Sequence, residues 1–149
     1  MYYIDTNILI YVNDTASPYH QSASEIFYNL LEQKKIILHE IVLTEFFSII
    51  TDSRKMESPW STSQARDYIK DLLESVHELH LLDNEIISAA CKYIKKYNIK
   101  RYDIYDHLLA YSMKFYGIDK IVTLNKADFE RYDFIKEIIA PQVARGTLF

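Results

Sequence analysis

At 149 residues, with 49% apolar and 26% charged side chains, the chain has the make-up of one folded domain with its own core, which excludes a disordered linker or tail. Its 21 acidic and 17 basic residues leave a formal charge of −4, which argues against a generic nucleic-acid coat, though not against an enzyme whose acids hold a cation. A single cysteine excludes an internal disulfide or a zinc finger, and 2 glycines exclude a Gly-rich phosphate loop or dinucleotide fingerprint.

Tyr2 to Asp5 reads as a short buried strand, after which Thr6 or Asn7 caps a helix carrying Ile8, Leu9, Ile10 and Val12. A second helix spans about Tyr19 to Gln33, and Ile36 to Leu38 forms a second strand. About Ile41 to Arg54 is a very apolar helix with Glu45 inside it. Ser58-Pro59-Trp60-Ser61 is a break. Ala65, Tyr68, Ile69, Leu72, Leu73 and Val76 then recur at the spacing of one helical face. Leu79, Leu81 and Leu82 mark a third strand, and Asn84 caps a helix bearing Ile86, Ile87, Ala90, Cys91, Ile94 and Tyr97, in which Cys91 is expected to be a small core residue. The next helix, about Ile104 to Tyr116, stops at Gly117. Lys120 to Leu124 is a fourth strand and Ile138-Ile139 a candidate fifth.

Short apolar strands alternating with helices predict an α/β fold, a three-layer α/β/α sandwich around a central, mostly parallel sheet of four to five strands. Residues 1–141 are expected to form one domain and 142–149 a C-terminal tail. In such sheets ligands bind beyond the C-terminal strand ends, where strand order reverses. Asp5 and Asn125 fall at such ends.

Several acids sit where an unpaired charge is costly. Glu45 lies among Ile41, Val42, Phe46 and Ile49, with no Lys or Arg within one helical turn. Asp103 and Asp106 lie one turn apart on an apolar helix, and Asp128 follows Asn125 closely. Taken singly, Asp5-Thr6-Asn7 is a helix cap, Asp103 a first-turn acid, and Asn125 and Asp128 loop and cap residues. Taken together they suit a bound Mg²⁺ or Mn²⁺, since oxygen donors without His or Cys select hard cations and such ions hydrolyse phosphodiesters. Thr6 and Thr123 are placed to orient a water or a phosphate, and Lys100, Arg101 and Lys126 to meet nucleic-acid phosphates. The five histidines show no metal-ligand spacing; His77 and His80 read as surface residues and His107 as a structural one. Phe46, Phe47, Trp60 and Tyr68 either complete the core or line a groove for a partner.

The segments YIDTNILIY, LTEFFSI, YDIYDHLLA and IVTLNKADFER resemble the PIN domain family (PilT N-terminus), and most of all its VapC-type toxin ribonucleases, over nearly the whole chain. The resemblance implies an Mg²⁺- or Mn²⁺-dependent endoribonuclease, a homodimer, and a small antitoxin partner. Carried over by position, it makes Asp5, Glu45 and Asp106 the metal-binding acids, with Asn7 beside them. The fourth position falls on Asn125, where many members carry Asp, so Asp128 or Asp103 is left to supply the missing carboxylate. Two alternatives stay open: a nuclease that matures RNA without a toxin role, and a degenerate module that binds RNA or protein without cutting. No apolar run reaches the ~20 residues of a membrane span, and the start carries no basic segment or cleavage site, so a cytoplasmic protein is expected.

Overall fold

Strand–helix alternation forces parallel pairing, because consecutive strands joined by a crossover helix enter the sheet in the same direction. The computed structural model, which describes residues 1–144, bears this out with five strands, all parallel. In chain order the elements are β1 (Tyr2–Ile4), α1 (Thr6–Asn13), α2 (His20–Glu32), β2 (Ile36–His39), α3 (Glu40–Ile50), α4 (Thr62–Ser75), β3 (Glu78–His80), α5 (Asn84–Tyr93), α6 (Asp103–Tyr116), β4 (Lys120–Val122), α7 (Lys126–Glu130) and β5 (Glu137–Ile139). The strand order is β3-β2-β1-β4-β5.

That order places the switch point between β1 and β4. The chain first runs outward from β1 to β2 and β3, then returns to the other side of β1 for β4 and β5. Right-handed crossovers put the helices of the outward run on one face of the sheet and those of the return run on the other. The helix contacts follow this division: α1 packs on α2 and α3, and α3 on α4, whereas α6 packs on α5 and α7. Between the layers the strands bury Tyr3, Ile4, Ile36, Ile37, Leu38, Ile121 and Val122.

Local chemistry sets the boundaries, and several differ from expectation. The cap of α1 is Asp5, one residue before the expected Thr6 or Asn7. The cap of α5 is Asp83, whose side chain accepts from the Glu85 N–H, not Asn84. Helix α3 ends at Ile50, because Asp52 turns the chain and binds Arg54 in place of a further helical turn. Ser61 and Gln64 form a reciprocal capping box at the start of α4. Gly117 ends α6 with φ 70, the left-handed conformation that glycine adopts without strain.

The third strand is shifted by one residue from the expected leucine run, and this changes what is buried. Its pairing of Leu79 with Leu38 and His80 with His39 turns His80 inward, while Leu81 lies beyond the strand and is exposed. His80, expected at the surface, is buried, stacks on Tyr116 and meets the Tyr3 hydroxyl at 2.6 Å through Nδ1. His77 is exposed, as expected. Cys91 is exposed as well, contrary to expectation, since the buried face of α5 runs through Ile86 and Ala90 and turns away at the next residue. His107 is the structural residue its position suggests, held by Tyr132 Oη and the Ala90 carbonyl.

Phe46 is fully buried and packs edge-on against the half-buried Trp60, with Tyr68 beside both, so these three complete the core and only Phe47 is exposed. Within the expected tail, Gln142 N–H donates to Ser22 Oγ and Ala144 N–H to the Pro18 carbonyl. Residues 145–149 lie outside the described residues. No described helix is long and apolar enough to cross a membrane.

Candidate active site

The site begins where β1 and β4 stop side by side. Asp5 N–H donates to the Val122 carbonyl, which carries the ladder one residue past the strand and aims the Asp5 side chain over the C-terminal edge of the sheet. The residue is only 4% exposed, and three donors hold it. Oδ1 accepts from the Thr6 N–H at 2.7 Å, and Oδ2 accepts from Asn7 Nδ2 at 2.9 Å and from the Thr123 hydroxyl at 2.6 Å. Thr123 is saturated: its hydroxyl donates once, to Asp5, and accepts from the Asn125 N–H at 2.9 Å and more weakly from Asn7 Nδ2 at 3.4 Å. Asn7 Oδ1 accepts from the Leu124 N–H at 3.2 Å. The start of α1 and the loop after β4 are thus tied together through one carboxylate.

Glu45 arrives from α3, which packs against α1, and its Oε2 accepts from the Thr6 hydroxyl at 2.6 Å. Asp106 arrives from the first turn of α6, on the other side of the sheet. Asp5, Glu45 and Asp106 open on one cleft of about 230 Å³, whose lining also includes Thr6, Asn7, Tyr11 and Asn125. Among the described residues no Lys, Arg or His forms an ion pair with any of the three acids.

Electrostatics record the result. Burial pushes the Asp5 carboxyl up to about 6; the Thr123, Thr6 and Asn7 hydrogen bonds restrain that rise, and the Glu45 charge adds to it. Asp106 is pushed further, to about 8, first by burial and then by the charges of Asp5, Asp128 and Glu45, with only Arg131 opposing. Its carboxylate accepts no hydrogen bond from any described residue.

Of the other expected residues, Thr6 and Thr123 donate their hydroxyls to carboxylates, Glu45 and Asp5 respectively. Asn125 lines the cleft at the cap position of α7, its side chain making no capping bond. Asp128 stands half-buried on α7, near enough to Asp106 to disfavour its charge. Asp103 is exposed on the outer side of the α6 start, where it accepts from the Lys100 N–H at 3.4 Å, and it does not line the cleft. Lys100, Arg101 and Lys126 are exposed. Arg131 was not singled out from the sequence. Its guanidinium sits over Tyr132, donates through Nε to the Asp128 carbonyl, and leaves Nη2 buried without a partner. Tyr11 was missed too, since in sequence it is one more aromatic on an apolar helix.

A divalent ion has a mixed fit to these residues. Among the described residues no three His, Cys, Asp or Glu side chains converge closely enough to chelate one ion. The donor chemistry does suit a hard cation: oxygen only, like charges crowded together, and a carboxylate on Asp106 with no protein partner. Mg²⁺ is commonly held by one or two carboxylates with water completing its shell, so full convergence is not required.

The lock around Asp5 yields a first expected result. Thr123→Val removes the hydrogen bond that most favours the charged form of Asp5, so the Asp5 pKa rises. In a reaction that needs the Asp5 carboxylate ionised, the acid limb of the pH–rate profile moves to higher pH; an unmoved limb would show that Thr123 does not set that charge.

The chain matches the family model described as PIN domain over residues 2–135. It is 24% identical over 136 residues to Ribonuclease VapC24 of Mycobacterium tuberculosis, the match covering 88% of this chain and 90% of that protein. Its fold is similar to that in the crystal structure of VapBC2 from Rickettsia felis bound to a DNA fragment from their promoter, with TM-score 0.68 and 16% identity over 95% of this chain and 98% of that one. It is also similar to Mycobacterium tuberculosis VapC20, a Sarcin-Ricin loop cleaving toxin, with TM-score 0.61 and 15% identity over 81% of this chain and 87% of that one.

Proposed function

Because the chain belongs to the PIN domain family, we propose that it is a metal-dependent endoribonuclease that hydrolyses RNA phosphodiester bonds, and that it is the toxin of a toxin–antitoxin pair. The observation that carries this reading is that Asp5, Glu45 and Asp106 open on one cleft at the sheet's switch point without an ion-pair partner among the described residues. In this reading one or two of the Asp5, Glu45 and Asp106 carboxylates would bind Mg²⁺ or Mn²⁺ directly and the rest through its water, Asn125 would offer an amide oxygen, and Asp128 would replace the fourth acid. Asn7 and Thr123 hold Asp5, and Thr6 holds Glu45. When bound, the ion supplies Lewis acidity that activates water and offsets the charge of the phosphodiester. Lys100, Arg101 and Lys126 meet the RNA backbone, where their charge sets affinity without reading sequence. The relation to Ribonuclease VapC24 supports RNA as substrate. The likeness to VapBC2 supports a small antitoxin partner; a homodimer and a cytoplasmic location belong to the same proposal.

The test is cleavage of a structured-RNA pool by the purified protein with Mn²⁺ and with EDTA, alongside thermal melting. Cleavage only with Mn²⁺ is expected. At 100 times its dissociation constant, the ion should also add about 2.7 kcal/mol of stability by mass action. Neither cleavage nor metal stabilisation would end the nuclease reading. A second reading, a PIN module that binds RNA or a protein without cutting, is favoured by the neutral Asn125 and by the lack of a chelating trio among the described residues. It predicts RNA binding with no cleavage under any divalent ion.

A further inference from the structure

One stripe of α3 lines two cavities. Glu45 and Ile49 border the acidic cleft and also border a neighbouring cavity of about 290 Å³, whose remaining walls include Ser48, Lys55, Tyr102 and Tyr105. The two spaces therefore meet along the side chain of Glu45. The second cavity is small for a ligand site and on the scale of one nucleoside, not a duplex.

Its composition is unlike that of the acidic cleft. Tyr102 is 82% exposed and Tyr105 44% exposed, so neither ring is there to fill the core. They stand three residues apart at the start of α6, on the same side of the helix, immediately before Asp106. Cations surround them: Lys55 lines the cavity, and Lys100 and Arg101 directly precede Tyr102. Exposed aromatic rings beside cations and next to phosphodiester chemistry are what an unpaired nucleotide requires, a π-face for its base and a charge for its phosphate. A protein partner would be recognised better by a larger apolar surface with fewer cations.

Building on the ribonuclease reading, we propose that this cavity is the subsite for the nucleotide flanking the scissile phosphate, with Tyr102 and Tyr105 stacking on an unpaired base and Lys55 taking its phosphate. The substrate class is thereby narrowed to RNA that presents single-stranded or splayed bases, because a base held in a duplex cannot offer its face to a ring.

The experiment uses the full chain with Mn²⁺ and an RNA hairpin whose loop carries a fluorescent purine analogue. Stacking is worth about 1–3 kcal/mol per base, so Tyr102→Leu and Tyr105→Leu should each raise KM by about 5- to 160-fold with kcat little changed, and should abolish the quenching of the analogue. Tyr102→Phe and Tyr105→Phe should behave as wild type, and Lys55→Ala should lower the salt slope of binding by about 1. Both tyrosines are exposed, so the variants should keep the wild-type melting temperature. If wild type cleaves while the Leu variants cleave and quench equally well, the subsite is wrong and the nuclease stands. That result, paired with loss of a protein partner, would assign the tyrosines to a protein interface. If the Phe variants fail as badly as the Leu variants, the hydroxyls act by hydrogen bonding and stacking is refuted. If wild type neither binds nor cleaves RNA, the ribonuclease reading falls and the subsite with it.

Discussion

Replacing Asp106 with Asn is expected to abolish cleavage and, in metal-free protein, to raise stability by roughly 2–3 kcal/mol at pH 8. The carboxylate is half-buried, faces the charges of Asp5, Asp128 and Glu45, and has no hydrogen-bonding partner among the described residues. An amide of the same shape removes that repulsion and breaks nothing. Each unit of pKa displacement corresponds to about 1.4 kcal/mol, and water reaching the half-buried group reduces the total to the figure above. Loss of activity coupled to a gain in stability distinguishes a charge kept for function from one kept for structure. A variant less stable than wild type in EDTA would show that Asp106 has a structural partner.

The pH dependence follows with its sign. Asp106 holds its proton up to about 8 in the folded chain and to its ordinary 3.8 when unfolded. Between those values the folded state binds more protons, so its stability falls as pH rises, and the fall ends above about 8. Buried histidines act in the opposite sense. Burial lowers His39 to about 4 and also lowers His80 and His107, so below their ordinary 6.5 the unfolded state binds more protons and stability falls as pH falls. Asp5, raised to about 6, acts in the same sense as Asp106 below that pH. Above about 6.5 Asp106 acts alone, so metal-free protein should lose stability from about pH 6.5 to 8. Urea midpoints in EDTA from pH 5 to 9 would show this decline, and Asp106→Asn should flatten it between about pH 6.5 and 8 and make stability rise more steeply with pH below that.

Much of this was legible in the residues, and the misses have more than one cause. The end of β1 at Asp5 is visible because an apolar run stops there, whereas the fourth strand, expected to reach Leu124, ends at Val122; the parallel sheet then obliges the two ends to meet at the switch point. Glu45 stands out because its apolar neighbours leave it no cation. Sequence periodicity gives a face but not a register, so a one-residue shift in β3 buried His80 and exposed Leu81. The same limit hid Cys91, one residue off the buried face of α5. Arg131 was invisible for a different reason: it reaches Asp106 from the end of α7, beyond an intervening strand, which no local pattern encodes. Tyr11 lies on α1 itself, where it reads as one more aromatic of an apolar helix. Tyr102 and Tyr105 read as ordinary members of a tyrosine-rich chain until their exposure beside Glu45 set them apart.

Asp5→Asn should remove activity as completely as Asp106→Asn yet leave stability at pH 7 unchanged or lower, because Asp5 is a ligand candidate and a structural acceptor at once. An amide has one oxygen for three donors. With its NH₂ toward Oδ1's place it faces the Thr6 N–H; flipped, it faces the Asn7 amide and a Thr123 hydroxyl already engaged with the Asn125 N–H. Either orientation sets donor against donor, at a cost of about 1–3 kcal/mol. Relief of the buried charge, raised only to about 6, offsets part of that. Cleavage should fall by more than the roughly 10- to 100-fold that loss of an outer-shell partner alone produces at a metal site. Melting both variants in EDTA and assaying them with Mn²⁺ separates the two acids: equal gains in stability would mean that the lock on Asp5 contributes nothing to the fold, and retained cleavage by Asp5→Asn would remove it from the catalytic set.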